Sequence, residues 1–157
     1  MDSLKEKYPL LFRNEDPMEP INMFGIECNK GWFDLLDTTF NTLYARYKST
    51  LLQFQFWKKL EPDDNYTASK IEQYVLEYEE KLKKEKEALP IVEQCKQKFG
   101  TLRLYCSNTN DYSDGIISMA ERMSEYICDI CGNSGKLSGT NYVSTTCSVC
   151  SKLQKNK

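Results

Sequence analysis

Apolar side chains along this chain recur with two different periods, and the switches between those periods outline its elements. From Trp32 to Leu60 they come every three or four residues (Trp32, Leu36, Phe40, Leu43, Tyr44, Tyr47, Leu51, Phe54), the period of an amphipathic helix. Phe33, Leu35, Phe56 and Trp57 fall partly outside that stripe, so the helix is apolar on more than one side: a helix sandwiched between others in the core is the plain reading, a dimer or partner face the sharper one. Glu61–Asn65 is a polar turn, and Thr67 is placed to cap a second helix with the stripe Ile71, Tyr74, Val75, Tyr78, Leu82 and Leu89. Its other face mixes Glu and Lys at i,i+4 distances, the pattern of a solvated surface. Two helices joined by so short a turn predict an antiparallel hairpin.

A period of two appears twice. In Met23–Cys28 it puts Phe24, Ile26 and Cys28 on one face, and in Thr101–Cys106 it does the same for Leu102, Leu104 and Cys106. Pairing these strands buries both apolar faces and leaves Glu27 and Arg103 together on the other side. Pro90–Lys98 reads as a short helix started by proline and closed by a left-handed Gly100. After a polar loop, Ser113 or Asp114 caps a helix through Ile116, Ile117, Met119, Ala120, Met123 and Ile127 that runs directly into Cys128. Residues 1–22, interrupted by Pro9, Pro17 and Pro20, read as an extended arm whose Tyr8–Phe12 segment packs onto the body. The expected fold class is α+β: a long helical hairpin and short helices over a small β-sheet, as a body 1–127 rigidly continuous with a C-terminal module 128–157.

That module adds chemistry. Cys128-Asp-Ile-Cys131-Gly and Cys147-Ser-Val-Cys150 form CxxC-x15-CxxC, the spacing of a four-thiolate zinc site, because each pair aims two sulfurs at one point across a tight turn. Two disulfides or a rubredoxin-like iron are the alternatives. Rubredoxin-like knuckles place glycine after both pairs, whereas Ser151 follows the second here, which favours Zn²⁺. The seven cysteines are an odd number and the charged N-terminus lacks a signal-peptide core, so thiols in a reducing, cytoplasmic setting are expected. Cys28, Cys95 and Cys106 remain, with Cys28 and Cys106 expected close on facing strands.

The chain has no histidine, which removes Ser–His and Cys–His dyads. A closed thiolate shell leaves zinc no open position for water, so a structural metal is expected. Glu27, Asp34, Asp37 and Arg103 are the candidate catalytic residues, but ordinary surface roles account for them, and no enzyme is expected. The 21 basic and 23 acidic residues give a net charge of −2, against a protein that coats nucleic acid. Lys136, Asn141, Tyr142, Lys152, Lys155 and Lys157 still offer phosphate contacts and a stacking ring, but Asp129 and the thiolates leave the module at only about +1. No window is long and apolar enough for a membrane span.

Phe24-Gly-Ile-Glu-Cys28, Gly31-Trp-Phe-Asp-Leu-Leu36, Gln97-Lys-Phe-Gly-Thr-Leu-Arg-Leu-Tyr105, Ile117-Ser-Met-Ala120 and the terminal cysteine pairs together resemble a family of small zinc-ribbon proteins encoded by phages, prophages and their bacterial hosts. The resemblance covers roughly residues 20–36 and 90–150; the hairpin 45–88 lies outside it, and Leu104 stands where relatives often carry Phe. It implies a phage or mobile-element source inside a bacterium and zinc on Cys128, Cys131, Cys147 and Cys150, with no activity to carry over. The resulting expectation is a non-enzymatic zinc-binding interaction protein that engages a bacterial host or defence protein, as an inhibitor. Its partner face would be Trp32, Phe33, Tyr47, Phe54, Phe56 and Trp57, a face that also suits a homodimer. A nucleic-acid-binding zinc ribbon is the alternative.

Overall fold

A computed structural model of the chain describes residues 1–139 and 142–155, with side chains as far as Leu153. The fold is α+β and divides into two compact units, residues 1–43 with 90–157, and residues 44–89. The first unit holds α1 (Asp2–Lys7), α2 (Pro20–Met23), β1 (Ile26–Glu27), β2 (Ile91–Lys98), β3 (Thr101–Ser107), α5 (Asp111–Ser124), β4 (Lys136–Ser138), β5 (Ser144–Thr146) and α6 (Ser148–Lys155). α3 (Phe33–Lys59) contributes to both units, and the second also contains α4 (Ala68–Glu87).

The sheet of the first unit has the order β1-β2-β3, with β1 parallel and β3 antiparallel to the central β2. The predicted helix over Pro90–Lys98 is therefore a strand. The ladder breaks between Val92 and Gln94, so that inward-facing Val92 and Cys95 are three residues apart, a spacing that imitates a helix. Gly100 is left-handed as expected, but it closes a hairpin. Phe99 (φ +54°) and Gly100 (φ +82°) are a two-residue loop of the type whose twist matches the strands it joins. The strands expected to pair with each other both pair with β2 instead. Ile26, Cys95 and Leu104 form one row across the sheet, and Glu27, Lys96 and Arg103 the next, on the other face. Glu27 and Arg103 thus share a side, with Lys96 between them.

The first strand is only two residues long. Pro20 starts a helical turn, Gly25 is left-handed (φ +69°), and Phe24 is 60% exposed rather than buried. The N-terminal segment packs onto the body as expected, but as helical turns rather than an extended arm, because Pro9 stops α1 and opens a 3-10 turn, Pro9–Phe12. Leu4, Tyr8, Leu11 and Ile21 are buried, and the Tyr8 and Phe12 rings meet Phe40 edge-on at 6.0 and 5.4 Å. Tyr8 Oη and Lys7 Nζ both donate to the Asp37 carboxylate at 2.8 Å. With these residues, Trp32, Leu36, Val92 and Leu102 complete a fully enclosed core.

α5 begins at Asn110, not at Ser113 or Asp114: Asn110 Oδ1 accepts from the Tyr112 and Ser113 amides, and Ser113 Oγ accepts from the Asn110 amide. It ends at Ser124 and does not run into Cys128, because the chain turns at Glu125–Tyr126 and Ile127 bridges to Ser134. Two of its side chains seal the open edge of β3: Ser124 Oγ accepts from the Leu102 amide and Glu121 Oε1 from the Leu104 amide, both at 2.9 Å.

The second unit is the predicted antiparallel hairpin. Arg46 pairs with Glu85 at 3.5 Å, and Trp57 stacks on Tyr74 with ring centroids 4.3 Å apart. Thr67 caps α4 as expected, its side chain accepting from the Lys70 amide. Few residues in this unit are buried; Thr50, Ile71 and Leu89 are among them.

Candidate metal centre

The two CxxC turns converge. The Sγ atoms of Cys128, Cys131, Cys147 and Cys150 all lie within 4.8 Å of one another. Cys131 and Cys147 sulfurs are 3.7 Å apart, against an edge of about 3.8 Å for a tetrahedron of ~2.3 Å metal–sulfur bonds. The geometry and the all-sulfur donor set fit a metal ion. The first turn is held by the Gly132 amide donating to Cys128 O, with Gly132 in the left-handed region (φ +79°). The second is the start of α6, where the Cys150 amide donates to Cys147 Sγ at 3.4 Å. That amide is the largest influence drawing the Cys147 thiol down to about 7, while the Cys131 sulfur, above all, pushes Cys150 upward. Four thiols at this spacing cannot ionise together without a cation among them.

What the motif did not announce is how the body grips these turns. Trp32 Nε1 donates to Ile127 O at 2.8 Å, the Gly31 amide to Asp129 O at 2.8 Å, and Asn29 Nδ2 to Asp129 Oδ2 at 3.1 Å. A Cβ on Gly31 would sit 2.6 Å from the Asp129 carbonyl carbon and collide with Cys128 O, so only glycine allows the approach. On the far side, the tip of the β2–β3 hairpin holds the β4–β5 hairpin. Thr145 Oγ1 donates to Gly100 O at 2.8 Å and Gln97 Nε2 to Val143 O at 3.0 Å, and a Cβ on Gly100 would meet Ser144 Cα at 3.0 Å. Asp129, between the first two cysteines, is 2% exposed, and its Oδ1 has no hydrogen-bond partner among the described residues. Burial raises its carboxyl against the lowering bond from Asn29. Asn29, Gly31, Gln97, Gly100 and Thr145 were not singled out as site residues. The glycines within Gly31-Trp32 and Phe99-Gly100 were the available signal.

The other predicted residues are dispersed. Trp32 is fully buried and serves the inside of the fold, so it leaves the partner-facing set; its indole is needed at Ile127. Phe33, Tyr47, Phe54 and Trp57 are half-buried, and Phe56 is 54% exposed. Asp37 is tied to Lys7 and Tyr8, Arg103 lies 3.9 Å from Glu121, Asp34 lines a groove beside α5, and Glu27 lines a separate cleft with Lys96. Cys28 approaches Cys95 rather than Cys106, with sulfurs 3.9 Å apart, because β2 intervenes between their strands. The Cys28 sulfur and burial push the Cys95 thiol up, and burial pushes Cys106 up to about 12, so both stay protonated and unreactive near neutrality. Lys136, Tyr142 and Lys152 are exposed; Asn141, Lys157 and the side chain of Lys155 lie outside the described residues. Among the described residues no helix is long and apolar enough to cross a membrane.

Comparison with protein-family models, with curated proteins and with solved structures found no match to the chain.

Proposed function

We propose that the chain is a non-enzymatic interaction protein stapled by Zn²⁺, phage- or mobile-element-encoded, acting in the bacterial cytoplasm on a host or defence protein, as an inhibitor. The observation that carries this reading is a division of labour. The cysteine cluster is closed by four thiolates and gripped on two sides, while the hairpin presents Leu52, Phe56 and Leu76 to solvent at 57%, 54% and 61% exposure. The scattering of Glu27, Asp34, Asp37 and Arg103 supports a binding role over catalysis. Zinc is preferred over iron by the residue after the second pair, Ser151. The test is capture of partners on the tagged, zinc-loaded chain from bacterial lysate, alongside a Leu52→Glu/Phe56→Glu variant. A protein recovered stoichiometrically on the first and lost on the second is the expected result; equal recovery on both would sink the reading.

The alternative, nucleic-acid binding, draws on the cleft of about 400 Å³ beside the cluster, lined by Lys136 and the hydroxyl residues Ser134, Ser138, Thr146, Ser148 and Ser151. It requires affinity for duplex or single strands that falls steeply with salt and with Lys136→Glu.

A further inference from the structure

α5 is assembled with its small residues inward and its large ones outward. The side packed on the body carries Ser113, Ala120 and Ser124, all buried. The outward side carries Tyr112, Met119 and Met123, and Tyr126 follows in the next turn, at 49%, 59%, 45% and 64% exposure. Within the helix Tyr112, Ile116, Met119 and Met123 form an apolar stripe of spacing four, three, four, and Tyr126 lies just past its end. A helix that only roofs a sheet reverses this assignment. Beside the stripe, a groove of about 240 Å³ separates α5 from the first turns of α3, where Thr38, Thr39 and Thr42 form its wall. Thr39 and Thr42 hydroxyls donate to Leu35 O and Thr38 O at 2.7 and 2.8 Å, so they offer the groove little polarity.

We propose that this face pairs with the same face of a second copy, α5 running antiparallel to α5 across a two-fold axis. This stands independently of the host-partner reading, which rests on the hairpin. The four–three spacing is that of a coiled-coil seam, and it reads alike in both directions, as an isologous contact requires. Charge selects the arrangement. Asp111 and Arg122 lie on the same flank of the stripe by helical spacing, toward opposite ends of the helix. In the register that layers Ile116 on the partner's Met119 and Tyr112 on the partner's Met123, Arg122 of each copy falls over the Asp111–Asp114 turn of the other. Antiparallel helices also oppose their dipoles. Methionine side chains adapt to such a seam and to the groove beside it. A helix of 14 residues spans about 21 Å, less than a standard interface of ~800 Å² per partner needs, so the dimer is weak.

Sedimentation equilibrium of the full, zinc-loaded chain from about 5 to 500 μM tests it, a range suited to small interfaces. The expected result is a monomer–dimer equilibrium weakened by at least about tenfold in Met119→Glu, with circular dichroism and metal content unchanged. Arg122→Asp weakens it too, and Asp111→Arg combined with Arg122→Asp restores it. A chain that stays monomeric throughout overturns the proposal. So does a dimer indifferent to Met119→Glu, or one abolished by Phe56→Glu alone.

Discussion

The cysteine module and the helical hairpin hold their shapes by opposite means. The module, Cys128 onward, has short strands and little apolar content of its own. Its order comes from four convergent sulfurs and from backbone-level fits at Gly31 and Gly100, where the missing Cβ is the point of contact. The hairpin 44–89 has long helices, a capped α4 and an aromatic run of Phe56, Trp57, Tyr66 and Tyr74, yet buries few side chains and leaves Trp57 Nε1 without a hydrogen-bond partner among the described residues. One region is specified by contacts that tolerate no added atom, the other by a diffuse surface that tolerates substitution. Close backbone fit therefore belongs to the part whose cysteines can hold a metal ion, and looser side-chain packing to the hairpin.

The largest effect that should separate them is loss of the metal. Chelation, or Cys128→Ser, removes an interaction worth roughly 10–16 kcal/mol in isolated fingers. Stoichiometric zinc should vanish from elemental analysis and amide protection from β4 and β5, while α4 keeps its protection; equal loss in both would erase the contrast. Next, Gly31→Ala forces a methyl into Cys128 and Asp129 and should cost about 1–3 kcal/mol or more and weaken zinc binding. Gly115→Ala, with nothing within 4 Å of the new atom and a place inside α5, should instead stabilise by about 0.5–1 kcal/mol. In the hairpin, Trp57→Ala removes the stack on Tyr74 and should cost about 2 kcal/mol of local stability by hydrogen exchange, with metal content untouched. The smallest effect is acid titration at the N-terminal segment. Hydrogen bonds from Lys7, then Tyr8, hold Asp37 below the ordinary carboxylate range. Its contribution is present above the unfolded carboxylate value and is lost as pH falls through the lowered folded one. Asp37→Asn should flatten that part of the melting-temperature profile by a small margin, since the pair is partly exposed.

How much of this was legible in the sequence depended on how local the constraint was. The cysteine set could be read because two residues between ligands fix a turn wherever it occurs. α3 and α4 could be read because their stripes run for many turns, and the interruption at residues 61–66 marked the hairpin. β2 could not: its bulge spaces Val92 and Cys95 as a helix would, and the proline before it suggested a helix start. The periodicity of α5 was plain, but period alone does not say which face turns inward, and here Ala120 won over Met119. The grip on the metal module was hidden for a different reason. Nothing near Gly31 in the chain shows that a carbonyl from residue 128 will press against it.

That grip has a consequence for how the chain reaches its native state. Trp32 is enclosed with its indole bonded to Ile127, 95 residues later, and Asn29 waits for Asp129, 100 residues later. During synthesis the N-terminal core therefore forms with one wall missing, and long-range closure comes late. If the four cysteines take a metal ion, its capture and completion of that wall are one event, and metal supply would set how long the nascent core stays open.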